Sequence, residues 1–154
     1  MNSRLLKEWT QLNKNGNKYY LCPIEENDMT HWQSEFEGPN NSPYRGHKFT
    51  LYLDIPSNYP MSPPKVRFKP YSMPHVNVDW KTGAVCLDIL ESMWSPIFNL
   101  QYVVESCLRL LTEPNGESPL NLELGILLRV SDHTGYNGLI NYYLNHPHNS
   151  LSSK

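Results

Sequence analysis

Residues 70–98 read PYSMPHVNVDWKTGAVCLDILESMWSPIF, and in this run of nearly thirty residues no apolar period is sustained. Connections inside compact domains are typically about 4 to 6 residues long, and much longer ones are functional or disordered. Trp80, Val85, Leu87, Ile89, Leu90, Trp94 and Phe98 make this one too apolar for disorder. It is therefore read as an ordered active or binding segment, and it divides the chain into two halves of different period.

On its N-terminal side the period is that of strands. Lys65-Val66-Arg67-Phe68 is a short strand, and Phe49, Leu51 and Leu53 give another strand one apolar face. The proline-studded connection Pro56 to Pro64 separates the two, and the turn signal Gly38-Pro39-Asn40-Asn41-Ser42-Pro43 precedes them. Between Lys18 and Glu37, Tyr19, Leu21 and Pro23 alternate, and after Asn27-Asp28 so do Trp32, Ser34 and Phe36, which reads as two antiparallel strands. Ser3 is expected to cap a first helix carrying Leu5, Trp9 and Leu12 on one stripe, widened by Leu6 and ending near Asn15-Gly16. On the C-terminal side helical period returns behind the cap Asn99, with Leu100, Val103, Val104, Cys107, Leu108 and Leu111, and stops at Pro114-Asn115-Gly116. Further helices are expected from about Leu120 to Val130 and from Ser131 or Asp132 to Asn145. A helix, a four-stranded antiparallel meander, a long segment and C-terminal helices make an α+β fold.

The 154 residues suit one domain, taken as 1–147, with 148–154 as a short polar tail. Thirteen prolines, eight of them between Pro39 and Pro74, exclude a plain helical bundle. The net charge of −2 lacks the basic surplus of a nucleic-acid binder. No stretch nears the roughly 20 apolar residues that span a bilayer, and Met1 to Trp9 lacks the apolar core of a secretory signal, so a soluble, intracellular protein is expected. Cys22, Cys86 and Cys107 are odd in number and widely spaced, and the histidines, His146-Pro147-His148 included, show no ligand spacing. Neither a disulfide framework nor a metal site is expected.

Three cysteines remain as candidates for chemistry. Cys107 lies on the apolar stripe of its helix and Cys22 in a strand, where a thiol acts as a small hydrophobe. Cys86 lies in the irregular segment, three residues after Gly83, where a reactant can approach. His75 and Asn77 precede it on the same segment. With His75 as base, Cys86 would make a hydrolase dyad. With Asn77 as hydrogen-bond donor to an oxyanion, the thiol would instead carry an acyl group for transfer. Residue chemistry alone leaves both open.

The run His75-Val76-Asn77-Val78, Thr82 through Leu90 and Trp94-Ser95-Pro96 closely resembles the active-site segment of ubiquitin-conjugating enzymes. Phe36-Glu37-Gly38-Pro39, Ser42 to Gly46, Tyr59-Pro60, Pro63-Pro64-Lys65-Val66 and Pro119-Leu120-Asn121 match in the same order, so the resemblance spans Ser3 to Leu144. It implies the ubiquitin-conjugating (UBC) fold, with Cys86 as thioester-forming nucleophile, Asn77 as oxyanion donor and His75 as a loop-ordering residue. The chain departs from the family at Val76, where a proline is usual, at one extra residue between Asn77 and Cys86, and at Ser118, which stands where many members carry an aspartate. Ser118 is accordingly only a weak candidate for gating the incoming nucleophile. These departures, and the run from Ser118 to Leu144, resemble the family's peroxisomal subgroup in yeasts.

The resemblance also implies partners. Ubiquitin arrives from the activating enzyme, and ATP is consumed at that earlier step, so no cofactor is implied for this chain. Met61, Ser95, Pro96, Ile97 and exposed parts of the first helix, Arg4 with Lys7 beside it, match positions that contact RING ligases. Within the subgroup the enzyme works on the cytosolic face of the peroxisomal membrane, held by a membrane-anchored peroxin and not inserted itself. Its substrate there is the cycling import receptor, accepted through a cysteine. Three readings compete: a conjugating enzyme for another modifier such as SUMO, an inactive adaptor of the same fold, and the hydrolase.

Overall fold

The structure is a computed structural model and describes residues 2–146. The expected domain end at 147 and the tail 148–154 lie outside the described residues. Helix α1 spans Ser3–Lys14, and four strands follow, β1 Cys22–Glu25, β2 Asp28–Glu37, β3 Lys48–Asp54 and β4 Lys65–Phe68. They form one antiparallel sheet in the order β1-β2-β3-β4. A single 3₁₀ turn, Asp88–Leu90, interrupts the long segment before helices α2 Leu100–Thr112, α3 Leu122–Arg129 and α4 His133–Asn145. The α+β expectation, one helix, a four-stranded meander, a long segment and C-terminal helices, is what the structure shows.

Alternation along the strands does what the sequence pattern asks. Trp32, Ser34 and Phe36 of β2 are buried, as are Phe49, Leu51 and Leu53 of β3, and register pairs Trp32 with Leu53 and Phe36 with Phe49. Their inner face shares one core with Leu5 and Leu12 of α1, Val103, Val104, Cys107 and Leu111 of α2, and Ile140 of α4. Each fully buried side chain of this size contributes on the order of 1.5–3 kcal/mol. Trp9 meets Trp32 edge-on at 5.6 Å between ring centroids, which fixes α1 against β2.

Several boundaries differ from expectation, each for a local reason. Asn2, not Ser3, caps α1, its Oδ1 accepting from the N–H of Arg4 at 2.9 Å and of Leu5 at 3.3 Å, while Ser3 is already helical. Leu6 does not widen the apolar stripe; it is exposed, and the buried position on that face is Glu8. Leu108 of α2 is only partly buried, and Leu110 lies deeper. The first strand starts late because Asn17 closes a ring on Leu21, donating to its carbonyl and accepting from its N–H, both at 2.8 Å. Helix α3 starts at Leu122 and not Leu120 because the backbone of Asn121 is extended, with φ −106° and ψ 107°, while the N–H groups of Leu120 and Asn121 donate to the carbonyl of Val76. Asn121 then caps Leu124, and Asp132 caps α4 at Gly135.

Residues 79–83 form a tight turn that sets Val78 opposite Val85 and Ala84 opposite Arg67, so the start of the active segment extends the edge of β4. Gly83 makes this possible. Its φ is +79°, and a Cβ there would lie 1.9 Å from the carbonyl oxygen of Phe68, which accepts no such neighbour. Gly83→Ala is expected to lower stability by at least about 2 kcal/mol, roughly 4–8 °C in Tm for a chain of this size, read by thermal unfolding. An unchanged Tm would show that this edge pairing contributes little.

Candidate active site

The segment is anchored by a histidine. His75 has no solvent exposure, and its ring stacks on Tyr44 at 6.1 Å between centroids. The N–H of Asn77 donates to Nδ1 at 2.9 Å, so the ring proton sits on Nε2 and is donated to the carbonyl of Leu110 in α2 at 2.8 Å. Burial drives its pKa down to about 4, the bond to Leu110 opposing only in part. Both nitrogens are engaged inside the fold, so His75 offers no base to Cys86.

Asn77, 1% exposed, is the next link. Its backbone carbonyl accepts from the N–H of Cys86 at 2.9 Å. Its side chain grips the loop that follows α2: Oδ1 accepts from the N–H of Asn115 at 2.8 Å, and Nδ2 donates to the carbonyls of Asn115 at 2.7 Å and Ser118 at 3.3 Å. Three of the expected site residues, His75, Asn77 and Cys86, are thus one hydrogen-bonded chain, and Ser118 joins it through its backbone. Val76 between them is fully buried, and its carbonyl accepts from Leu120 and Asn121 at 2.7 and 3.1 Å.

Cys86 is half-buried at one wall of a groove of about 390 Å³ that also meets Asp88, Glu91, Arg109, Asn115 and Ser118. Burial, then the carboxylates of Glu91 and Asp88, hold its thiol above the usual range. A larger groove, about 630 Å³, lies on the far side of Glu91 against Pro63, Pro64 and Leu90, and none of the expected site residues lines it. Cys107 is fully buried with its thiol pushed up to about 12, a packing residue as expected, and Cys22 is half-buried at the head of β1. Among the described residues no group of three His, Cys, Asp or Glu side chains is arranged to hold a metal ion, and no helix is long and apolar enough to cross a membrane. Pro147 and His148 of the histidine-rich end lie outside the described residues.

The structure thus joins a half-buried cysteine, an asparagine whose backbone carbonyl accepts from it, and a buried neutral histidine. The family model described as ubiquitin-conjugating enzyme matches residues 4–143. The chain belongs to the ubiquitin-conjugating enzyme family. Among its relatives, ubiquitin-conjugating enzyme E2 pex4 of Dictyostelium discoideum is 39% identical over 144 residues, covering 93% of this chain and 96% of the relative. Protein PEROXIN-4 of Arabidopsis thaliana is 36% identical over 145 residues, 92% and 90% of the two chains. The crystal structure of H. polymorpha ubiquitin conjugating enzyme Pex4p in complex with the soluble domain of Pex22p superposes with a TM-score of 0.86 at 34% identity, covering 93% of this chain and 95% of that one. The expected family and its resemblance to peroxin-4 are both met.

The residues expected to face a ligase lie apart from the cysteine groove. Met61 and Ile97 are 69% and 83% exposed. The indole of Trp94 donates to the carbonyl of Pro60 at 2.9 Å and ties their two loops side by side. Pro96 is exposed and Ser95 half-buried beside it. Met93, 61% exposed on the same stretch, was missed from sequence; an apolar side chain flanked by Ser92 and Trp94 was its only signal. Lys7 is exposed, but Arg4 is half-buried, its guanidinium donating to the carbonyls of Pro96 and Phe98 at 2.8 and 2.7 Å.

Two measurements follow. The alkylation rate of Cys86 should titrate with a midpoint above that of free cysteine, and Glu91→Gln should shift the midpoint down; an unmoved midpoint would remove Glu91 from the groove's electrostatics. For His75 the folded-state pKa lies below the unfolded value of about 6.5. Its contribution is therefore fully present above that value and is lost as pH falls toward about 4, roughly 3 kcal/mol in all. Denaturant unfolding at pH 7 and pH 4 should show a loss of this order that is absent in a His75→Gln variant.

Proposed function

We propose that Cys86 accepts ubiquitin as a thioester from the activating enzyme. The Cys86 thiolate attacks the incoming thioester carbonyl, a new C–S bond forms, and the activating enzyme's thiolate leaves. An acceptor thiol or amine then attacks the same carbonyl and Cys86 leaves as thiolate, its own proton having been lost on charging. The observation that carries this reading is the Cys86 N–H held on the Asn77 carbonyl at 2.9 Å, which ties the groove cysteine directly to the residue expected to stabilise the oxyanion. As oxyanion donor, Asn77 would exchange its longer bond, that to Ser118, for the tetrahedral intermediate. Loss of one such donor typically costs about 100- to 1,000-fold in rate. His75 orders the loop, and Ser118, exposed at the rim, offers an acceptor a hydroxyl where many relatives have a carboxylate.

Met61, Ser95, Pro96 and Ile97 form the face for a RING ligase, and Arg4 supports it. The further reading is peroxisomal. The enzyme sits on the cytosolic face of the peroxisomal membrane, held there by a membrane-anchored peroxin, and modifies the cycling import receptor so that it is extracted. Support comes from relatives named peroxin-4 and from a solved relative crystallised with the soluble domain of Pex22p.

Incubation with ubiquitin, ATP and activating enzyme should give a thiol-sensitive adduct that Cys86→Ala abolishes. In Asn77→Ala the adduct should still form but discharge about 100-fold more slowly. An adduct that survives Cys86→Ala, or charging by SUMO in preference to ubiquitin, would overturn the assignment. For the peroxisomal reading, deletion of the gene should leave the import receptor stranded on peroxisomal membranes without ubiquitin.

A further inference from the structure

We infer that Arg4 is a positioning residue for ligase engagement, acting with Glu8 to hold the backbone that displays Ile97; this rests on the ligase face proposed above. The guanidinium donates through Nη1 to the carbonyl of Pro96 at 2.8 Å and through Nη2 to that of Phe98 at 2.7 Å. It thus grips the loop on both sides of Ile97. Its Nε donates to Oε2 of Glu8 at 3.0 Å, so three of the five N–H donors of an arginine are engaged within the chain.

Glu8 makes the grip rigid. It is 9% exposed, and both of its carboxylate oxygens accept hydrogen bonds from within the chain. Oε2 also accepts from the hydroxyl of Tyr59 at 2.6 Å, and Oε1 accepts from the N–H of Leu100 at 2.7 Å, at the first turn of α2. Arg4 lies over the Tyr59 ring at 5.8 Å. One ion pair on α1 therefore joins the loop of Met61, through Tyr59, to the loop of Ile97, through Pro96 and Phe98. Trp94, bonded to Pro60, closes the circuit.

An apolar side chain as open as Ile97 has little packing of its own and takes its position from the backbone beneath it. If that backbone were free, ordering it would weaken binding at the moment of contact. Arginine suits the task because a planar fork reaches two carbonyls and a carboxylate at once; a lysine ammonium carries the same charge without that geometry.

The test is single-turnover discharge of the ubiquitin thioester, titrated with a RING domain that stimulates the wild-type enzyme. Half-saturating concentration and maximal rate are read for Ile97→Ala, Arg4→Lys, Arg4→Ala and the Arg4→Lys, Ile97→Ala double variant. Arg4→Lys should raise the half-saturating concentration about tenfold, match Arg4→Ala within about twofold, and change the maximal rate by less than about twofold. The double variant should be little worse than Ile97→Ala, since both act through one side chain. Glu8→Gln, which keeps shape and loses charge, should reproduce the shift and serves if Arg4 variants fold poorly. Wild-type behaviour in Arg4→Lys with weakening in Arg4→Ala would show direct charge contact and overturn the inference alone, as would full additivity with Ile97→Ala. No effect of Ile97→Ala would overturn the ligase face and the inference with it.

Discussion

The bond between His75 and Leu110 is the fixed point on which the site depends. It joins a segment with almost no secondary structure to α2, the most thoroughly buried helix, through a ring with no access to water. A buried imidazole is costly unless both nitrogens are satisfied, and the satisfying groups are a helix carbonyl and the backbone N–H of Asn77. Any displacement of the segment would strand one of them. Each bond nets only about 1 kcal/mol, but the penalty for an unpaired buried group makes the arrangement close to all-or-none. Asn77 passes this order to Cys86 on one side and to the loop at Asn115 on the other.

The groove's charges bear on how long a thioester would last. Asp88 and Glu91 beside Cys86, with partial burial, keep its thiol above the usual range. A thiol of higher pKa is a poorer leaving group, so an acyl group on it resists adventitious attack. The same setting slows thiolate formation during charging, and His75, which faces inward, does not offset it. Under the proposed function, such a site would hold its acyl group and depend on a bound partner for speed, which is the purpose the proposed ligase face would serve.

What sequence made legible follows the range of the interactions. The alternation at Trp32, Ser34 and Phe36 and the helical period through Val103, Val104 and Cys107 depend on neighbours a few residues away, and both elements lie where the pattern puts them. Cys86, His75 and Asn77 were found as one segment because chain proximity and family resemblance coincide there. Glu8 was not found: on a helical wheel it sits in the apolar stripe, and its burial makes sense only once Tyr59 and the N–H of Leu100 are beside it, 51 and 92 residues away. Arg4 reads from sequence only as a contacting charge for the same reason. The early start assigned to α3 differs from the structure because Asn121 is extended and caps the helix, its N–H and that of Leu120 bonded to Val76 across the site.

The absent proline and the extra residue are accommodated separately. Between Asn77 and Cys86 the chain turns back at 79–83, beyond the Val78–Val85 bridge, where Asp79 caps Lys81 and Thr82 and the carbonyl of Asp79 takes the N–H of Gly83. Trp80 packs at 4.8 Å on Tyr143 of α4, which anchors the turn. None of this moves Cys86 relative to Asn77, since their bond lies on the near side of the bridge. At position 76 the rigidity that a proline ring would supply comes instead from contacts. The Val76 carbonyl holds two N–H groups ahead of α3, and its side chain is buried near Gly125, where a Cβ would already crowd Pro119 at 2.8 Å. A local constraint has been replaced by a tertiary one, so the register of Asn77 in this chain is tied to the docking of α3.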